Sequence, residues 1–331
     1  MKLLSKICLC LLLFTSWLGS TVSAAPEMPT CSPPTVTTFV SGLDPLFGTT
    51  VGPDGALYVA AITGSILRVD PQTGEVSTFA SGLPIVPGLG GPLDVAFIGD
   101  TAYVLETLVD SFVGGDSIDG IYRIDGPDSF TVIADIGQWA ADHPPATDYF
   151  LPNGVQYAMQ VVPGGFLVTD GHHNRVYFVT LGGEVSEVIA FDNIVPTGLE
   201  FAHNRIFMAE AGPVPHLPEN GKIIRFKVGL QDSRTIASGA PLMVDVELGR
   251  NNRLYGLSQG DFPEGGNEGD PALPNTGSLV VARAHEFVTV VSPLNLPTSF
   301  EFIGDSAYVV GLAGEIFKID NVFCLPDGRR N

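Results

Sequence analysis

The ten residues VGPDGALYVA at 51–60 recur along the chain as FIGDTAYVLE (97–106), VVPGGFLVTD (161–170), FAHNRIFMAE (201–210), GRNNRLYGLS (249–258) and FIGDSAYVVG (302–311). Each copy reads as the apolar end of a strand, a tight turn at Asp, Asn or Gly, and an alternating strand with a bulky residue near its middle. The copies start 46, 64, 40, 48 and 53 residues apart. A self-similar interval of about 40–50 residues with several strands per unit is the signature of a β-propeller.

The flanking residues complete the unit. A second β-rich run follows every phrase, from SILRVD (65–70) to EIFKID (315–320), and a third follows in five units, as in EVSTFA (75–80). With the strand that leads into the phrase, each unit has four strands. The expected fold is therefore all-β, a six-bladed propeller of four-stranded blades. The last unit ends without its fourth strand, but TVTTFVSGL (35–43) nearly repeats EVSTFASGL (75–83), the fourth strand of the first unit. The N-terminal strand should thus join the last blade, close the ring and remove an open sheet edge. Cys31 precedes that strand and Cys324 follows the last third strand. The two are expected to form a disulfide that locks the seam.

Lys2 and Lys6, the apolar run from Ile7 to Leu18 and the small residues Val22-Ser23-Ala24 have the layout of a secretory signal. Cleavage after Ala24 is expected, with 25–331 exported to the periplasm or beyond as a single propeller domain, and as a monomer. The apolar run is short for a membrane span and no second one follows, so membrane insertion is not expected. Residues 1–24 carry two lysines and no acid, so removing them takes the net charge from −20 to −22. That charge opposes nucleic-acid binding, which depends on Lys and Arg neutralising phosphates. It suits a soluble surface, a cation or a basic partner.

Loops carry function on a rigid scaffold. The connections after the repeated phrase are long at 107–119, 211–221 and 259–277, acidic, and rich in Gly and Pro. They are read as a rim around the upper mouth of a central channel. Two columns of the repeat point there. Near the start of the innermost strand stand Gly48, Asp94, Ala158, Gly198, Asp245 and Ser299. Asp94 and Asp245 would face each other and could hold Ca²⁺, a hard cation that takes carboxylate ligands. At the end of the phrase stand Ala60, Glu106, Asp170, Glu210, Ser258 and Gly311, which place Glu106 and Glu210 as ligand contacts at the channel mouth. Asp170 precedes His172-His173-Asn174. Adjacent side chains diverge, so one histidine can serve as acid or base, and Asp170 with His172 is the candidate catalytic pair.

The stretch GPDGALYVA…GSILRVDPQTGEVSTFASGL (52–83) resembles the ScyD/ScyE family of exported proteins named from the scytonemin gene cluster. More broadly the chain is similar to NHL-repeat, SMP-30/gluconolactonase-like and strictosidine-synthase-like six-bladed propellers. The resemblance implies a link to secondary metabolism or the extracytoplasmic space. The lactonases of this group hold a divalent metal with a Glu of the first blade, Asn residues and an Asp. Here the first blade reads LDPLFGTTVGPDG (43–55), without that Glu, and the Asn of PNG (152–154) is out of register. The first expectation is a module that binds a small molecule, glycan or protein at its upper face. The alternative is a calcium-dependent hydrolase, lactonase or lyase at the channel mouth.

Overall fold

A computed structural model describes residues 31–146, 151–229 and 232–324. The segment read as an export signal, 1–24, lies outside the described residues.

The repeated phrase forms a hairpin. In its first copy Leu46–Val51 turns back into Leu57–Ala61. Asp54 accepts a hydrogen bond from the Ala56 amide at 3.1 Å, and Gly55 takes φ +77°. The carboxylate satisfies an amide that the turn leaves open, and the left-handed backbone suits Gly. Asn204 and Asn252 take positive φ in the equivalent turns.

Successive strands add antiparallel to each hairpin. One four-stranded sheet runs from Leu46–Val51 to Val76–Ser81, a second from Gly91–Ile98 to Ser129–Asp135, and a third from Gln156–Val162 to Val185–Ala190. The quartets that begin with Pro196–Ala202 and Met243–Leu248 are joined into an eight-stranded sheet by one bridge, Ser238 with Glu286. In the remaining sheet the order is Thr35–Val40, Ile316–Asp320, Ser306–Gly311, Pro297–Ile303. The N-terminal strand thus pairs with the last strand of the chain, Thr35 opposite Asp320 and Val36 opposite Ile319. It ends at Val40 rather than 43, because Gly42 at φ +80° turns the chain out of the sheet. Cys31 and Cys324 form a disulfide with Cα atoms 5.8 Å apart and 293 residues between them in sequence. Closing so long a loop stabilises the fold by about 5 kcal/mol in the chain-entropy view.

The first strands of the quartets pack on one another in a closed cycle, Leu46–Val51 against Gly91–Ile98 and onward until Pro297–Ile303 returns to Leu46–Val51. Apolar side chains fill the wedges between neighbouring sheets: Tyr58, Ile66 and Val104 in one, Leu105, Phe166 and Val168 in the next. Each such buried side chain contributes roughly 2 kcal/mol. The inner strand of every quartet shifts register near its start, as between Pro92 and Asp94 or Met243 and Asp245. These strands are sheet edges, so some of their amides have no ladder partner and must bond elsewhere. A helix not foreseen from the sequence, Ile136–Asp142, lies in the longest repeat interval and is capped by Asp135, which accepts from the Gln138 amide at 2.8 Å.

Candidate functional site

Two cavities follow the cycle of inner strands. The upper one, about 540 Å³, opens among the long loops. The lower one, about 330 Å³, lies within the ring of inner strands. Phe47, Leu93, Tyr157 and Val244 line both and form the layer between them. Tyr157 also packs against the core cluster that holds Val244 and Phe300.

Below this layer the wall is acidic. Asp94 accepts hydrogen bonds from the Val95 amide at 2.8 Å and from the Met159 amide of the next inner strand at 2.7 Å. Asp245 does the same with Val246 at 2.8 Å and Phe300 at 3.0 Å, and adds the Ser299 hydroxyl at 2.8 Å. Gly48 and Gly198 make room for them: a Cβ at Gly48 would stand 2.1 Å from Asp94 Oδ1, and one at Gly198 2.4 Å from Asp245 Oδ1. Burial pushes Asp94 up to about 8 and Asp245 up to about 7, against the pull of these donors. Glu200, Glu247 and Glu301 line the same cavity two residues further along their strands. Burial, and after it the charge of neighbouring carboxylates, raises Glu247 and Glu301 well above the usual carboxylate range. Sequence reading found the two aspartates and missed these glutamates, although the alternation Asp245/Glu247 and Ser299/Glu301 signals a shared face.

Above the layer the wall is largely apolar, and two histidines punctuate it. His172 donates Nδ1–H to the Asn153 carbonyl at 3.0 Å, and His216 donates to the Ala211 carbonyl at 3.2 Å. A carbonyl only accepts, so each neutral ring keeps its lone pair on Nε2. Burial holds both imidazoles below their ordinary pKa, against these carbonyl bonds and the charge of Glu268. His172, His216 and Glu268 all line the upper cavity. His216 and Glu268 were not picked out from the sequence, because only the fold brings 211–221 and 259–277 to the same mouth as 171–174. Gln259 anchors the longest loop there, accepting from the Ala272 amide at 2.9 Å.

Glu106, Asp170 and Glu210 line neither axial cavity. Their column faces the wedges between sheets. Asp170 is fully buried and accepts from the Val155 and His173 amides at 3.0 Å each and from the Tyr177 hydroxyl at 2.6 Å. Burial alone would raise its pKa, but His173 and Tyr177 hold it well below the usual range. His173 is buried beside it, while His172 turns to the cavity. Arg175, also buried, donates to the Tyr177 hydroxyl at 2.8 Å and extends this network. Glu106 has no hydrogen-bond partner on either carboxylate oxygen, and burial with the nearby Asp119 raises it well above normal. Glu210 is pushed up to about 7 by burial, against the charge of Lys222.

The arrangement does not fit a calcium ion held by Asp94 and Asp245. Their oxygens are already bonded to backbone amides, and among the described residues no three His, Cys, Asp or Glu side chains converge as a metal set.

No protein-family profile matches the chain, and no curated protein matches it. Solved structures do. The soluble aldose sugar dehydrogenase of Escherichia coli is 12% identical, with TM-score 0.60, covering 87% of this chain and 99% of that one. A gluconolactonase of Xanthomonas campestris is 12% identical, TM-score 0.60, with 87% and 89% covered. The fold is a β-propeller. A third relative in shape is virginiamycin B lyase from Staphylococcus aureus, in a form made inactive by replacing one histidine with alanine and bound to quinupristin. It is 13% identical, TM-score 0.53, with 87% and 99% covered. Propellers of this kind thus carry dehydrogenase, lactonase and lyase sites on one scaffold, and the site has to be argued from its own residues.

Proposed function

We propose that this protein is an exported, six-bladed propeller enzyme of hydrolase or lyase type that works on a small molecule at the upper cavity, with His172 as the proton-transfer residue. One observation carries the reading: His172 and His216 face the same cavity, each with Nδ1–H committed to a main-chain carbonyl and Nε2 left as a base. In a hydrolase, His172 takes the proton of an attacking water. In a lyase, it takes the proton from the carbon beside the bond that breaks. Asp170 is a positioning residue, since its bonds to the Val155 and His173 amides fix the turn that presents His172. Glu106 and Glu210 belong to the walls.

The proposed count of six blades is supported by the four four-stranded sheets together with the two halves of the eight-stranded one. The Cys31–Cys324 disulfide suits an oxidising compartment and supports cleavage of 1–24 and export. Among the described residues no helix is long and apolar enough to cross a membrane. The ScyD/ScyE-like phrase supports a place in secondary metabolism. The histidine dependence stated for the lyase of similar fold supports the role given to His172.

The test is turnover of lactones, esters and cyclic depsipeptides such as quinupristin. Activity is expected in the native chain and lost in His172→Asn at unchanged melting temperature. Equal activity in His172→Asn overturns the assignment, and binding without turnover leaves a ligand-binding module.

A further inference from the structure

The upper cavity also describes its ligand, given that it is the working site proposed above. Most of its polar wall groups are already bonded within the protein, the exception being the buried side-chain oxygen of Asn193, which has no hydrogen-bond partner. The Thr107 hydroxyl pairs with the Gln156 side chain at 3.1 Å. Thr197 donates to the Ala209 and Met243 carbonyls. Gln259 accepts from Ala272 and donates to the Pro297 carbonyl. A polyol would bury hydroxyls against such a wall without partners, at roughly 1–3 kcal/mol for each unmet group. No lysine or arginine lines the cavity among the described residues, while Glu268 and Asp270 do. An anion therefore meets repulsion and no counter-charge. What remains for a ligand is apolar surface and three acceptors, the two Nε2 atoms and Asn193 Oδ1.

The loops around the opening repeat this chemistry. Ile85, Leu89, Phe112, Val214, Leu217 and Leu273 are exposed large apolar side chains, and all lie in the connections at this end of the ring. Two of them, Leu89 and Val214, line the cavity itself and extend its apolar wall to the surface.

We propose that the ligand of the upper cavity is an uncharged, mainly apolar small molecule carrying an O–H or N–H donor for His172 or His216, and neither a sugar nor an anion. The test uses N-phenyl-1-naphthylamine, a neutral fluorophore with one N–H, and 8-anilino-1-naphthalenesulfonate, which has the same rings plus a sulfonate. The neutral probe should bind at least about tenfold more tightly than the sulfonate. Leu89→Asp and Val113→Asp, in different loops lining the cavity, should each weaken it by at least about tenfold with the melting temperature kept. Glucose and glucono-1,5-lactone at millimolar concentration should not displace it. Equal or tighter binding of the sulfonate, displacement by either sugar, or indifference to both substitutions overturns the inference. Because binding is read without turnover, tight neutral-probe binding with an inert substrate panel would remove the reaction and keep the ligand class. Turnover of a sugar lactone without probe binding would do the reverse.

Discussion

The cavities above and below Tyr157 are built from the same strands and are chemical opposites. Above, Leu93 and Val244 face apolar loops and two neutral imidazoles; below, their sequence neighbours Asp94 and Asp245 join Glu200, Glu247 and Glu301. One step along an extended strand reverses the direction of a side chain. Two residues in a row can therefore serve unrelated ends. The lower aspartates answer a structural need, the unpaired edge amides of the next inner strand. The same device, a Gly, an Asp and an edge amide on consecutive inner strands, occurs as Gly48–Asp94–Met159 and again as Gly198–Asp245–Phe300. The upper imidazoles each bond a loop carbonyl through Nδ1 and also line the cavity, which leaves Nε2 as the nitrogen not used in that bond. The lower region fastens neighbouring strands, and the upper one is the site proposed for the ligand.

The sharpest way to break this contrast is His172→Ala. The expected loss in kcat/KM is about 10³-fold, within the usual range for a removed general base, with the melting temperature held. A large fall in stability instead would move His172 to the fastening side. Next is Gly48→Val, which forces a side chain into Asp94. It should cost about 3 kcal/mol by denaturant titration, and the same residue at exposed Gly182, where an added Cβ meets only ordinary contact, should cost far less. Third, Asp94→Asn together with Asp245→Asn should cost about 1–2 kcal/mol while leaving probe binding above the Tyr157 layer intact. In the native chain, added Ca²⁺ should leave the melting temperature unchanged, and a shift of several degrees would restore a cation site.

The pH dependence gives the smallest and most specific signals. Asp94 and Asp245 have folded pKa values raised to about 8 and about 7 from 3.8, so the folded state binds more protons than the unfolded one between those limits. Their contribution is fully present below pH 4 and is lost as pH rises through about 7–8. Melting scans from pH 5 to 9 should therefore show a decline that the double Asn variant flattens. His172 shifts the other way. Burial lowers its pKa below 6.5, so its base form persists at neutral pH and kcat/KM should fall only on the acid side of 6.5. An acid limb above 6.5 would contradict the buried imidazole.

Much of this was legible in the chain alone. The repeated phrase placed the hairpins, TVTTFV was matched to the last sheet by its likeness to the first, and Cys31 was paired with Cys324 by that same reasoning. The column holding Asp94 and Asp245 was read as part of the upper mouth, whereas the structure places both in the lower cavity. The column of Glu106, Asp170 and Glu210 was read as a ring at the mouth, whereas these side chains face the wedges between sheets. Position along a strand could be counted, but the face each strand end presents depends on the twist and on the register shifts of the inner strands.

Local patterns of turn residues and alternation are properties of the sequence itself, because they arise from backbone sterics and the two-residue period of a strand. They determined the strand order, the closing strand and the disulfide of this protein. Whether a carboxylate fastens an amide or a histidine faces a ligand depends on neighbours some 50 or more residues away, such as Met159 for Asp94 or Glu268 for His172. Only the closed ring brings those groups within hydrogen-bonding and electrostatic range, and so only the tertiary structure decided which end of the axis is acidic and fastened and which is apolar and lined by histidines.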